Sequence, residues 1–407
     1  MTRRLGIAAA AALLVLAAAT AAGAGGAADP GVTATEIVIG GTVPLSGEAA
    51  AFGSVGPGAK AYFDYVNARG GVNGRKIRYV FYDDAYNPAQ TVQLTRRLVE
   101  QDRVLAIFNS VGTANNLAIR EYLNAQKVPQ LLVGDGSEAL GGAPLRYPWT
   151  MGFLQSYRGE GAVYGRDIAA RTPKARLAVL FENTELGKEM TQGLSRAIAR
   201  KGPKVVASES YELVSTDVSA QVARLKASGA DTLLVFATPK FMIQALLAAT
   251  KLGWKPRTYI ASLSIEPTIM DIAKANAPAL TNGARSVAFV KNPRDPIWAK
   301  DPAVKLYRSI MTRFNPGGRP TDVYNWYGMT VAWTMVDVLG RAGKVPTRAS
   351  LLRAARSIDT RANPFLLPGI RLKTGLKDSF PLDTVYLYRY ENRTGQWVRA
   401  SGLLAAR

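Results

Sequence analysis

The sequence predicts an α/β protein of two doubly wound lobes. Three observations point there. Short apolar segments of strand length alternate with longer amphipathic segments of helix length, as in sheets whose strands are joined through helices. The connections from strand to helix are rich in Gly, Ser and Pro. The alternation breaks near Tyr147 and then restarts on the same plan.

The first lobe opens with EIVIGG, a strand at Ile37–Ile39, which runs into a small-residue loop. A helix, a GGVNGR turn and a second strand ending at Asp83 and Asp84 complete a β-loop-α-β unit. A helix follows over Pro88–Gln101, with Asn87 as N-cap and Pro88 in the first turn. Strands are expected at Val104–Phe108 and Val128–Val133, with a helix at Ala114–Gln126 between them. YPWTMG interrupts the rhythm at Tyr147–Gly152, and a long helix spans Ser156–Arg171. The pattern restarts with a strand at Leu177–Phe181 and a helix at Lys188–Lys201, then a strand at Val205–Tyr211 and a helix at Val218–Ser228. A strand at Thr232–Ala237, a helix at Lys240–Leu252 and a strand at Thr258–Ala261 close it. From Val287 the chain reads as a Pro-rich connector, then helices at Pro302–Phe314, Asp322–Ala342 and Arg348–Ser357. TVYLYRYENRTGQWV alternates about Asn392–Gly395 as a hairpin does. These last pieces are too few for a third domain and are expected to complete the first two.

Bulk properties narrow the function. Residues 1–28 carry Arg3 and Arg4, an Ala/Leu core and small residues after it, the pattern of a secretory signal peptide. About 380 residues remain, enough for two domains. There is no Cys, hence neither a disulfide nor a lipid on an N-terminal cysteine, and no His, which excludes Ser-His-Asp catalysis and the commonest zinc sites. The net charge of +21 is scattered, with no basic run. It reads as a solvated surface that favours anionic solutes rather than as a nucleic-acid footprint. Walker A, G-x-S-x-G, H-E-x-x-H and G-x-G-x-x-G patterns are absent. No enzyme, metal or cofactor is expected.

Four loops fall at carboxyl ends of strands, where ligands bind in open α/β sheets. Pro44–Gly58 is longer than ordinary βα connections, and its glycines let backbone approach a ligand. In Asn109–Thr113, the Thr113 hydroxyl suits both a helix cap and an anion contact. Gly134–Ser137 offers Asp135 either as a turn residue or as a contact. Glu182–Gly187 places Glu182 and Glu185 near a helix start, where acids are favoured in any case. Asp83 and Asp84 are better explained by turn formation than as an acid–base pair.

Taken together, IVIGGTVPLSGEAAAFG, NARGGVNGRKIRYVFYDDAYNPAQTVQLTRRLV, KVPQLLVGDGS and LAVLFENTELGKEM resemble the branched-chain amino-acid (Leu/Ile/Val) type of periplasmic solute-binding protein of ABC importers, over essentially the whole mature chain. The resemblance implies two lobes joined by a three-strand hinge. The N-terminal lobe would be 29–155 plus 287–361, and the C-terminal lobe 156–286 plus 362–407. It implies a monomer in the periplasm that grips a small carboxylate-bearing solute between its lobes and delivers it to membrane permease subunits. By position, Ser46 and Phe52 fall in the first loop, where an aromatic packs on the solute side chain. Gly112 and Thr113 match the carboxylate contact, and Gly134, Asp135 and Gly136 match the third loop. The second lobe departs from the pattern. Leu186 stands where a Tyr is usual, Thr238 where an aromatic is frequent, and Leu263 where an acid pairs with the ammonium, with Glu266 three residues on. An apolar or aromatic carboxylate without an ammonium is the alternative solute, with Trp149, Phe153 and Tyr157 as cleft or core residues. A sensor of the same fold is the alternative role.

Overall fold

The computed structural model describes residues 29–407, so the expected signal peptide lies outside the described residues. The first sheet contains β1 (Glu36–Val43), β2 (Lys76–Asp83), β3 (Ile107–Phe108), β4 (Gln130–Val133) and β5 (Thr150–Gly152) in the order β2-β1-β3-β4-β5. All its pairings are parallel. Side chains alternate across a strand, and β1 uses both faces. Ile37 and Ile39 join the core beneath α1 (Val55–Asn67), while Val38 packs with Leu98 of α2 (Pro88–Glu100) and with Ile119 and Leu123 of α3 (Thr113–Ala125). Burial on both faces is why β1 reads as a continuous apolar run. As expected, Asn87 caps α2, its side chain accepting from Ala89 N at 2.9 Å with Pro88 in the first turn.

The second sheet is larger. β6 (Arg176–Glu182), β7 (Lys204–Tyr211), β8 (Thr232–Phe236), β9 (Arg257–Ile260), β10 (Arg285–Ala288), β13 (Thr384–Glu391) and β14 (Gln396–Ala405) run in the order β14-β13-β10-β9-β8-β6-β7. β6 to β10 are parallel, and the terminal hairpin adds two antiparallel strands at one edge. A small ribbon, β11 (Asp359–Thr360) with β12 (Leu372–Lys373), stands apart.

Between the sheets the chain crosses at 153–156, 289–291 and 365–367. The last two segments pair, with a bridge between Val290 and Leu366 and with Leu367 N donating to Phe289 O at 2.8 Å. After the second crossing, the long helix Val323–Arg341 lies against α1. Gly58 and Gly328 allow this: a Cβ on Gly58 would collide with the Asn325 backbone, and one on Gly328 with Val55 O and Ala59 N.

Four segments differ from the sequence reading. Regular pairing in the stretch read as Val104–Phe108 covers only Ile107–Phe108, although Leu105 N still donates to Val38 O. YPWTMG contains β5, the edge strand beside β4. Pro267–Asn276 is a helix capped by Glu266. The presumed connector begins only after β10, a four-residue strand whose outer partner is the hairpin about a hundred residues later.

Candidate functional site

In both sheets the strand order reverses once, at β1/β3 in the first and β6/β8 in the second. Loops diverge at such switch points and leave a crevice at the strands' carboxyl ends. The two crevices face each other across the hinge and enclose a cavity of about 110 Å³. From the first layer it is lined by Phe52, Val55, Tyr86, Val111, Gly112, Gly134 and Asp135, from the first crossing by Leu154, and from the second layer by Tyr157, Leu186, Ser262 and Leu263. Phe289 and Val290 of the hinge, with Val323, Tyr324 and Tyr327 at the start of the long helix, complete the wall.

The aromatic side of the wall is braced. Phe52 sits in a 3-10 turn at Ala50–Ser54 and meets Tyr324 edge to face, with centroids 5.1 Å apart. The Tyr324 hydroxyl donates across the cleft to Leu263 O at 2.8 Å. Ser262 and Leu263 are held in turn by Glu160, a buried carboxylate on the helix Tyr157–Arg171. Glu160 accepts from Ser262 N and Ser262 Oγ at 2.7 Å each, and from Gln155 Nε2 and the Tyr164 hydroxyl at 2.6 Å each.

The polar floor is Asp135, only 1% exposed. Its Oδ2 accepts from the Thr113 hydroxyl and, at 3.1 Å, from the Tyr157 hydroxyl; its Oδ1 accepts from Ser137 N at 2.7 Å. Burial pushes its carboxyl up to about 6; the hydrogen bonds offset only part of that, and nearby Glu182 adds to the rise. Gly112 adopts φ +106°, and a Cβ there would lie 2.7 Å from both Asn115 Oδ1 and a Tyr86 ring carbon. Glycine is therefore required for Thr113 to start its helix against the cavity. In the second lobe, Glu182 at the end of β6 accepts from Thr184 Oγ1 at 2.9 Å and from the Tyr211 hydroxyl at 3.2 Å. Burial raises it to about 7.

Of the residues singled out from sequence, the structure brings Phe52, Gly112, Gly134, Asp135, Tyr157, Leu186 and Leu263 to the cavity. Thr113 stands one layer behind, its hydroxyl committed to Asp135 and not turned to a solute. Gly136 lets the loop pass against Gln155 O. Ser46 turns away, its hydroxyl donating to Asp83 Oδ2 at 2.6 Å. Burial alone would raise Asp83, yet Ser46 and the amides of Ala85, Ser46 and Leu45 outweigh it and hold the carboxyl below its usual range. Thr238 accompanies Tyr211 and Glu182, its N–H donating to the Tyr211 hydroxyl at 3.1 Å. Glu266 caps its own helix, accepting from Thr268 N and Ile269 N at 2.8 and 3.0 Å, and faces a neighbouring chamber. Phe153 belongs to the buried core, whereas Trp149 lies half-buried outside the cavity lining. Tyr86, Tyr324 and Tyr327 were not anticipated. The i, i+3 tyrosines of VYNWYG at a helix start were the available signal for the last two.

The model of the periplasmic binding protein family matches residues 36–396. The chain belongs to the periplasmic binding protein family. An amino acid binding protein of Pseudomonas aeruginosa is 27% identical over 197 residues, 48% of this chain and 52% of that protein. Leu/Ile/Val-binding protein homolog 7 of Brucella abortus is 26% identical over 249 residues, 58% of this chain and 61% of that protein. This binding protein thus spans about half to three-fifths of the length of these curated relatives. Among solved structures, a branched chain amino acid ABC transporter protein of Thermus thermophilus with bound valine superposes with a TM-score of 0.78 at 18% identity, covering 91% of this chain and 96% of that one. A fatty acid ABC transporter substrate-binding protein from Thermomonospora curvata gives 0.77 at 22% identity, covering 93% and 94%. At such identities the likeness is one of fold, the type I two-lobed architecture expected from the sequence. The family is one of solute binders, so this periplasmic binding protein is not an enzyme. Among the described residues no helix is long and apolar enough to cross a membrane.

Proposed function

We propose that this chain is the exported solute receptor of an ABC importer. It takes a small solute with an apolar body between its lobes, closes about the hinge, and presents the closed form to the membrane permease. The observation that carries this reading is a cavity that neither lobe completes alone, with Phe52, Tyr86 and Tyr324 on one side and Leu186 and Leu263 on the other. Its wall of aliphatic and aromatic groups suits a solute body such as a branched-chain or aromatic side chain. Valine bound to the Thermus thermophilus protein of like fold and the Leu/Ile/Val-binding names of the Brucella relatives support that choice of body. The proposed lobes are 29–155 with 287–361 and 156–286 with 362–407, the three crossings forming the hinge. Removal of residues 1–28 on export would release the mature receptor as a monomer.

A second chamber shares Ser262, Phe289, Val290, Val323 and Tyr324 with the first. It favours, as a second reading, a solute with a longer apolar tail. Thermal unfolding of residues 29–407 against branched-chain amino acids, aromatic acids, short-chain amides and medium-chain acids tests both. A bound solute stabilises by mass action, by about 2.7 kcal/mol at a hundredfold excess over Kd. Silence across the whole panel, and across the corresponding alkyl and aromatic amines, would remove the receptor reading.

A further inference from the structure

Granted the receptor reading above, the polar lining of the cavity also determines the head group its solute can carry. A carboxylate entering a dry cleft needs donors or a cation. No Lys or Arg lines the cavity. Lys240 of the second lobe is paired with Glu48 of the first. The Thr113 hydroxyl, the Tyr157 hydroxyl and the Ser137 amide all donate to Asp135.

What the cleft offers is the reverse of an anion site. Asp135 is buried with only neutral donors, and Oδ1 retains a free lone pair, since a carboxylate oxygen accepts two bonds. Tyr86 lines the cavity at 7% exposure, and among the described residues its hydroxyl has no partner. Burial raises its hydroxyl well above the usual range, and the charges of Glu182 and Asp135 add to that. Glu182, 1% exposed, is held by two hydroxyls and by no cation. Asp135 and the unpartnered phenol of Tyr86 thus both line a largely apolar cavity, and Glu182 is not part of that lining.

We propose that the cleft takes a solute with a cationic amine head, an apolar body and no carboxylate, the ammonium resting against Asp135 and the Tyr86 hydroxyl. The ammonium supplies the counter-charge that buried Asp135 lacks in the protein. A carboxylate at the same place meets like charge in a medium of low dielectric constant. The chain's net charge of +21 does not decide this. It is spread over the solvated surface and is screened beyond about 8 Å at physiological salt, whereas Asp135 acts at contact.

The test uses four probes on one skeleton: 3-methylbutylamine, leucine, 4-methylpentanoate and 4-methylpentanamide, measured by calorimetry and thermal unfolding near pH 7.5. The amine is expected to bind at least about tenfold more tightly than each of the others. Asp135→Asn should lose at least about tenfold of the amine affinity, and Tyr86→Phe about threefold, with circular dichroism confirming that each is folded. Leucine or 4-methylpentanoate binding as well as the amine would overturn the head-group assignment and leave the receptor reading standing. Equal binding of the amide would overturn the requirement for a cation. If all four fail, phenethylamine, phenylalanine and 3-phenylpropionate repeat the comparison on a second skeleton, and silence there overturns both readings. Because the probe comparison is made on the unaltered protein, it decides the matter even if Asp135→Asn does not fold.

Discussion

Asp135, Glu182 and Glu189 are buried acids, and burial lifts them to about 6, 7 and 7. Each holds a proton in the folded chain at pH values where the unfolded chain has released it. Their contribution to stability is complete below about pH 4 and is lost as pH rises through 6 to 7. The solute-free protein should therefore be more stable at pH 5 than at pH 7.5, by about 1–3 kcal/mol in urea unfolding. A midpoint that climbs over that interval would show that these acids have cationic partners. At this scale the sequence was informative where a residue lies in a loop after a strand, as Phe52, Gly112 and Asp135 do. It was silent on Tyr86 and Tyr324, which come to the cavity from a turn and from a helix some 240 residues apart, because proximity of that kind follows from packing alone. It also left the Thr113 hydroxyl open between two roles, and the structure gives it a third, support of Asp135.

Helices and strands were readable where local chemistry and period agreed. Asn87-Pro88 marked a helix start, and alternation about Asn392–Gly395 marked the hairpin, and both stand in the structure. The helix Pro267–Asn276 escaped because its cap is Glu266, a residue noted instead as a candidate contact. β10 escaped because four residues show no period. Two elements invite direct tests. The contact between α1 and the long helix depends on Gly58 and Gly328, so Gly328→Leu should destabilise by about 1–3 kcal/mol or more in denaturant unfolding. Glu160 anchors the turn bearing Ser262 and Leu263 through four donors, so Glu160→Ala should cost about 3 kcal/mol by leaving them unsatisfied. An unchanged midpoint for Glu160→Ala would mean that the turn is held by its own backbone.

In the whole molecule, the lobes touch beyond the cavity. Glu189 of the helix Glu185–Ile198 accepts from Ser137 Oγ at 3.0 Å and from Glu138 N at 2.7 Å, which caps a short first-lobe helix at Glu138–Gly141 from the other lobe. Lys240 and Glu48 make a second, more exposed bridge. Glu189→Ala should shift the solute-free protein towards an open form, seen as a larger radius of gyration in solution scattering. Lys240→Ala should change little, since half-exposed pairs contribute about 0–1 kcal/mol. The two-lobed plan was legible from a strand–helix rhythm that stops and restarts, but the relative placement of the lobes, and hence the site, was not. The chambers also differ in their aromatic lining. Tyr86, Tyr157, Tyr324 and Tyr327 surround the first, with no tryptophan, whereas Trp298 and Trp397 line the second. Intrinsic fluorescence can therefore measure the length of the occupant. A short solute in the first chamber touches no tryptophan and leaves indole emission nearly constant, while one whose tail passes the shared wall quenches or shifts it.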